Sequence, residues 1–112
     1  QEVESGRLKA IASVITYAEL LTLPARTQNE PLVKKYRELL GQFPNLTVVP
    51  VDVEIGYEAA RLRGKHPKLK LMDAFILATA ILQQAEVLVT EDTRLMIPEL
   101  PIKVQSLEKF QL

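Results

Sequence analysis

The stretch Leu71-Met-Asp73-Ala-Phe-Ile-Leu-Ala-Thr-Ala80-Ile-Leu82-Gln-Gln-Ala-Glu-Val87-Leu-Val89-Thr-Glu-Asp92 decides the fold. From Asp73 to Leu82 the residues are apolar almost all the way round a helix, which marks a helix packed on more than one side. Val87 to Val89 follow as a continuous apolar run, the pattern of a short strand covered on both faces. A buried helix feeding a buried strand belongs at the centre of a layered α/β domain, and the rest of the chain is expected to supply the layers.

Working outward, Leu8 to Ala12 reads as a strand, and Thr16-Tyr-Ala-Glu19 has the form of a capping box that opens a helix through Leu20, Leu21 and Leu23. Pro31 suits a first helical position, and Leu32, Val33, Tyr36, Leu39, Leu40 and Phe43 recur at helical spacing until Gly41 and Pro44 end the segment. Thr47 to Val51 is rich in β-branched residues and reads as a short strand broken by Pro50. Asp52 is placed to cap a third helix with Ile55, Ala59 and Leu62 on one face and Gly64 and Pro67 at its end. Ile102 to Val104 offers a last strand, with Leu107 and Phe110 beyond it. Gly6 after the segment Gln1 to Ser5 reads as a helix end, so the natural product is expected to carry residues ahead of Gln1. Strands alternating with helices predict a mainly parallel sheet with helices on both faces, a three-layer α/β/α architecture.

Composition sets the outer bounds. A chain of 112 residues matches the size of one domain, so residues 1–112 are expected to form a single unit. With 47% hydrophobic and 25% charged residues it is too apolar to be disordered. Fourteen basic residues balance fourteen acidic ones, which removes any long-range field; attraction to a polyanion has to come from a local patch. The absence of cysteine excludes disulfides, thiolate zinc sites and a cysteine nucleophile, and a cytoplasmic location is the default expectation.

In an open parallel sheet, sites form outside the carboxyl ends of the strands. Three acids stand there: Glu19 in the helix after the first strand, Asp73 at the start of the buried helix, and Asp92 after the strand Val87 to Val89. Converging carboxylates repel one another unless a cation sits between them. Hard oxygen donors with no cysteine and one histidine favour Mg²⁺ or Mn²⁺ over zinc. Such an ion can activate water and stabilise the charge that grows when a phosphodiester is attacked. Each acid also has a structural reading. Glu19 would complete the capping box with Thr16, Asp73 would complement the helix macrodipole, and Asp92 would cap the turn at Thr93.

Three runs, Ser13-Val-Ile-Thr-Tyr-Ala-Glu19, Leu71 to Ala80 and Val87-Leu-Val-Thr-Glu-Asp92, resemble in order and separation three successive motifs of the PIN domain. That is the fold of small Mg²⁺-dependent ribonucleases such as the VapC-type toxins. The resemblance implies that Glu19, Asp73 and Asp92 are catalytic metal ligands for Mg²⁺ or Mn²⁺ and that Ser13, Thr16 and Thr90 shape the site. It also implies an endoribonuclease that hydrolyses RNA phosphodiesters, held by a cognate antitoxin and assembled as a homodimer. The family's first strand, with its acidic motif, has no match in this sequence. The chain is therefore expected to be N-terminally incomplete and, on its own, a weak binder of catalytic metal.

A basic segment, Arg61, Arg63, Lys65, His66, Lys68 and Lys70, precedes Asp73. It reads either as a solvated helix end and loop or as a grip on RNA phosphates, with Lys70 and Arg94 the preferred contacts because they lie closest to the acids. The single histidine, His66, reads as a surface loop residue. Two other functions compete: a degenerate PIN domain that binds RNA or protein without cutting, and an unrelated α/β regulatory domain whose acids are only helix caps.

Overall fold

The computed structural model describes residues 9–42, 46–92, 95 and 102–106. Four strands, β1 (Ala10–Ser13), β2 (Leu46–Val49), β3 (Val87–Val89) and β4 (Lys103–Gln105), form one sheet in the order β2-β1-β3-β4, with every neighbouring pair parallel. The helices are α1 (Val14–Arg26), α2 (Glu30–Gln42), α3 (Val53–Lys65) and α4 (Leu71–Leu82). The first crossover carries α1 and α2 from β1 to β2, and the second carries α3 and α4 from β2 to β3.

Side-chain alternation along the strands shows the layers. Ala10 and Ala12 of β1, Leu46 of β2 and Val87 and Val89 of β3 pack with Leu20 and Leu40 from α1 and α2. The intervening positions Ile11, Val49 and Leu88 pack on the opposite side with Ile55, Ala59 and Leu62 of α3 and Ala74, Ile76 and Leu77 of α4. Helices therefore cover both faces, as the apolar run at Val87 to Val89 requires. The two central strands β1 and β3 are buried at every residue, while the edge strands β2 and β4 carry exposed or half-buried positions.

Local chemistry sets the helix starts. Asp52 caps α3 by accepting the Ile55 N–H at 2.9 Å, and Asn29 accepts the Leu32 N–H at 3.2 Å ahead of α2; a cap of this kind contributes about 1 kcal/mol. The structure shifts several expected limits. The first strand runs to Ser13, the second stops at Val49 before Pro50, and the last covers Lys103–Gln105. Gly41 and Gly64 lie inside the last turns of α2 and α3, where fraying makes glycine cheap. After α4 the chain turns sharply through Gln84, at φ 52, with the Gln84 N–H donating to Ile81 O at 3.0 Å and the Ala85 N–H to Ala80 O at 3.0 Å. That left-handed turn sends the chain directly into β3. The expected helix end at Gly6, the residues Phe43 and Pro44, and the terminal Leu107 and Phe110 lie outside the described residues.

Candidate functional site

The sheet order places a topological switch between β1 and β3: from β1 one crossover leads away to β2, and the other returns past it to β3. Crevices form at such points, outside the carboxyl ends of the strands. Here β1 pairs with β2 along all four residues, whereas its pairing with β3 covers Ala10↔Val87 and Ile11↔Leu88. Ala12, Ser13 and Val89 lie beyond that paired stretch, so the two strands part toward their carboxyl ends.

The residues that follow β1 are set by Ser13. It is fully buried, extended at φ −69 and ψ 148, and its hydroxyl oxygen accepts the Ile15 N–H at 3.1 Å. Ser13 is therefore the cap of α1, and the capping box expected between Thr16 and Glu19 does not form. This removes the structural reading of Glu19, which sits near the middle of α1 and is not in its first turn. Thr16 is buried at 0% exposure, and its Oγ1 has no hydrogen-bond partner among the described residues. A buried, unpaired hydroxyl is costly, and one turn before Glu19 it is a free donor.

Beyond β3, the Thr90 N–H donates to Gln105 O at 3.0 Å, which ties this buried residue to β4. Its own hydroxyl accepts the Asp92 N–H at 3.4 Å. The Leu95 N–H donates to the backbone Asp92 O at 3.1 Å; Thr93, where Asp92 was expected to cap a turn, lies outside the described residues. Asp73 is the third residue of α4, half-buried in its first turn, where the helix macrodipole favours a carboxylate. Lys70 caps the same helix with extended backbone and no side-chain cap bond; its side chain is exposed. Arg94, the other expected phosphate contact, lies outside the described residues.

Electrostatics links these elements. The Glu19 carboxyl is raised above its ordinary value, first by partial burial and then by the negative charges of Asp73, Asp92 and Glu91. Glu19 as a residue is exposed, so its desolvation is only partial. Asp73 and Asp92, both expected from the sequence, thus act on Glu19, together with Glu91, which sequence reading passed over. Its only signal was a second acid directly after a strand. The donor set of carboxylate oxygens fits a hard divalent cation. Even so, among the described residues no three acidic or histidine side chains are gathered tightly enough to hold a metal ion.

The shift in Glu19 has a measurable consequence. A carboxyl whose folded value is raised contributes stability at low pH that is lost as pH rises through the folded value. Ionised Glu19 therefore costs stability at neutral pH. With a chelator present, Glu19→Gln is expected to raise stability at pH 7 by a few tenths of a kcal/mol, after discounting for solvent screening. The gain should fade as pH falls through the raised folded value of Glu19, be gone below the ordinary carboxyl range, and shrink with added salt. Thermal melts across pH test this; equal melting at pH 7 would show that the carboxylates do not crowd Glu19.

A surface groove of 460 Å³ between α1 and α2, lined by Tyr17, Val33, Lys34, Arg37 and Glu38 among others, lies elsewhere. None of the four carboxylates lines it. Its charged lining, Glu30, Lys34, Arg37 and Glu38, mixes both signs.

Comparison with known proteins bears on both fold and site. The family model of the PIN domain matches residues 2–99. No curated protein matches the chain. Among solved structures, a toxin-antitoxin complex from Klebsiella pneumoniae contains a chain 29% identical to this one, with a TM-score of 0.59; the match covers 81% of this chain and 72% of that chain.

Proposed function

Because the chain belongs to the PIN domain family, whose members are generally nucleases, we propose that it is a Mg²⁺- or Mn²⁺-dependent endoribonuclease, the toxin of a toxin-antitoxin pair. The observation that carries this reading is the crowding of Glu19 by Asp73, Asp92 and Glu91 at the carboxyl edge of the sheet. The neighbouring negative charges raise the cost of ionising Glu19, a pattern that functional sites use.

In this reading Glu19, Asp73 and Asp92 hold the cation, which when bound supplies a more acidic water and a counter-charge for the attacked phosphate. The chain's own residues do the positioning. Ser13 fixes where α1 begins and so where Glu19 stands. Thr90, tied to β4, holds the backbone of Asp92. Thr16 offers an uncommitted hydroxyl on the Glu19 helix. Lys70, exposed at the N-terminus of α4, contacts a substrate phosphate, and Arg94, two residues after Asp92 in the sequence, is the second proposed contact. A cognate antitoxin is the expected partner, by analogy with the neighbouring toxin-antitoxin complex. A homodimer would cover part of the apolar surface at Val53 and Tyr57 of α3 and Met72 of α4, all exposed. Among the described residues no helix is long and apolar enough to cross a membrane.

One observation favours a second reading. Because the carboxylates are not drawn together to coordination distance among the described residues, a non-catalytic PIN domain that binds RNA or protein is the alternative. Cleavage of a labelled RNA by the complete protein, with Mg²⁺ or Mn²⁺ and with chelator, separates the two. Metal-dependent cutting supports the enzyme; binding without cutting under every metal condition supports the binding module. A narrower expectation concerns Lys70. Loss of one phosphate contact removes about 0.7 from the slope of log affinity against log salt on a single strand. Lys70→Ala should therefore weaken RNA binding more at low salt than at high salt, and parallel titration lines would show that Lys70 touches no phosphate.

A further inference from the structure

The segment 61–70 carries six basic or imidazole side chains and no acid, and the structure sorts them into two groups. Arg61 is paired with Glu58 at 3.6 Å. The Arg63 Nε–H donates to Leu69 O at 3.2 Å, across the loop. The His66 N–H closes α3 on Leu62 O at 2.8 Å, and the Leu69 N–H donates to His66 O at 2.9 Å. These bonds staple the turn between α3 and α4 to itself. Lys65, Lys68 and Lys70 are exposed, and none of them takes part in a salt bridge among the described residues.

We propose that this stapled loop is a phosphate-binding element of its own, in which Lys65 and Lys68 hold backbone phosphates of single-stranded RNA next to the one at the carboxylate crevice. The inference rests on the nuclease reading above and extends its site along the substrate. Lys65, in the last turn of α3, also suits the negative end of that helix. Lys68 lies beyond the helix and has no such role. A loop whose backbone is already fixed loses little further freedom on binding, so most of the cost is that of ordering two lysine side chains. Its position supports a polyanion that continues into the site: the loop ends at Lys70, the exposed cap residue of α4, three residues before Asp73 in the first turn of that helix. An acidic peptide following the same path would next meet four carboxylates. The next phosphate of an RNA is the group that a cation held by those carboxylates accepts. Since the net charge of the chain is zero, this attraction has to be local.

The test is a salt titration of binding to a fluorescent single-stranded oligoribonucleotide, with Asp73→Asn as the parent so that cleavage does not intervene. Adding Lys65→Ala and Lys68→Ala should lower the slope of log affinity against log salt by about 1.4, two contacts at about 0.7 each. Affinity should fall at least several-fold at low salt and change little at high salt. Unchanged slope in a parent that binds RNA normally would overturn the loop's role and leave the nuclease reading standing. Failure of the parent to bind RNA at all would overturn both. Displacement of the RNA by polyglutamate that depends on the same two lysines would overturn the assignment to nucleic acid.

Discussion

Asp73→Asn in the complete protein is expected to lower metal-dependent RNA cleavage by at least about 100-fold, the scale on which removal of one strong electrostatic stabiliser acts. The substitution removes a charged oxygen donor and keeps the shape of the side chain. It should not unfold the protein, because Asp73 is only half-buried in the first turn of α4 and its neighbours on the core side are Ala74, Ile76 and Leu77. Removing one negative charge near Glu19 relieves repulsion, so the melting temperature should hold or rise. The small favourable term from an acid at a helix N-terminus works in the opposite direction and is of the order of 0.5 kcal/mol. Cleavage assays run beside thermal melts distinguish the cases. Undiminished cleavage would remove Asp73 from the site, and lost cleavage with lost fold would make its role structural.

The second large effect is on stability. Leu88 is 0% exposed, stands in the middle of β3 and packs against the α3 and α4 layer. Leu88→Ala deletes its contacts and leaves a cavity in a layer already built around the small residues Ala59, Ala74, Ala78 and Ala80, which cannot move in to fill it. The expected loss is about 3 to 5 kcal/mol, against a total of about 5 to 15 kcal/mol for a domain. A melting temperature lower by more than about 10 °C should follow. Because β3 leads directly to Thr90, Glu91 and Asp92, cleavage should fall as the population of folded protein falls. Leu23, 64% exposed on α1, provides the contrast: Leu23→Ala should stay within about 0.5 kcal/mol. A Leu88→Ala variant as stable as the parent would mean that β3 is not a central strand.

The helix and strand of residues 71–92 were legible because an all-round apolar helix and a doubly covered strand each leave a dense, unambiguous pattern. Ile55, Ala59 and Leu62 were legible for the same reason, and Asp52 because a cap is a local, short-range bond. The start of α1 was misread for a physical reason. The run from Ser13 to Glu19 holds two hydroxyl residues three positions apart, and either can cap a helix. Hydropathy does not say which one ends the strand. Burial decides it: Ser13 continues the covered face of β1 and still turns its oxygen to the Ile15 N–H. Strand order was beyond local reading, since alternation of strands and helices fixes parallel crossovers but not the sequence β2-β1-β3-β4. Glu91 was missed because its proximity to Glu19 is made by the sheet and not by the chain. The pairing of Arg63 with Leu69 O, which separates fixed from free cations in the basic loop, likewise depends on a turn geometry that composition does not encode.

In the proposed mechanism Glu19, Asp73 and Asp92 form one cation site. Titration of the complete protein with Mn²⁺, followed by the loss of the free-ion electron paramagnetic resonance signal, measures it without reference to activity. The wild type should take up Mn²⁺ saturably, with Mg²⁺ competing, and Glu19→Gln, Asp73→Asn and Asp92→Asn should each weaken the uptake. Identical Mn²⁺ uptake by the wild type and all three variants would contradict that mechanism.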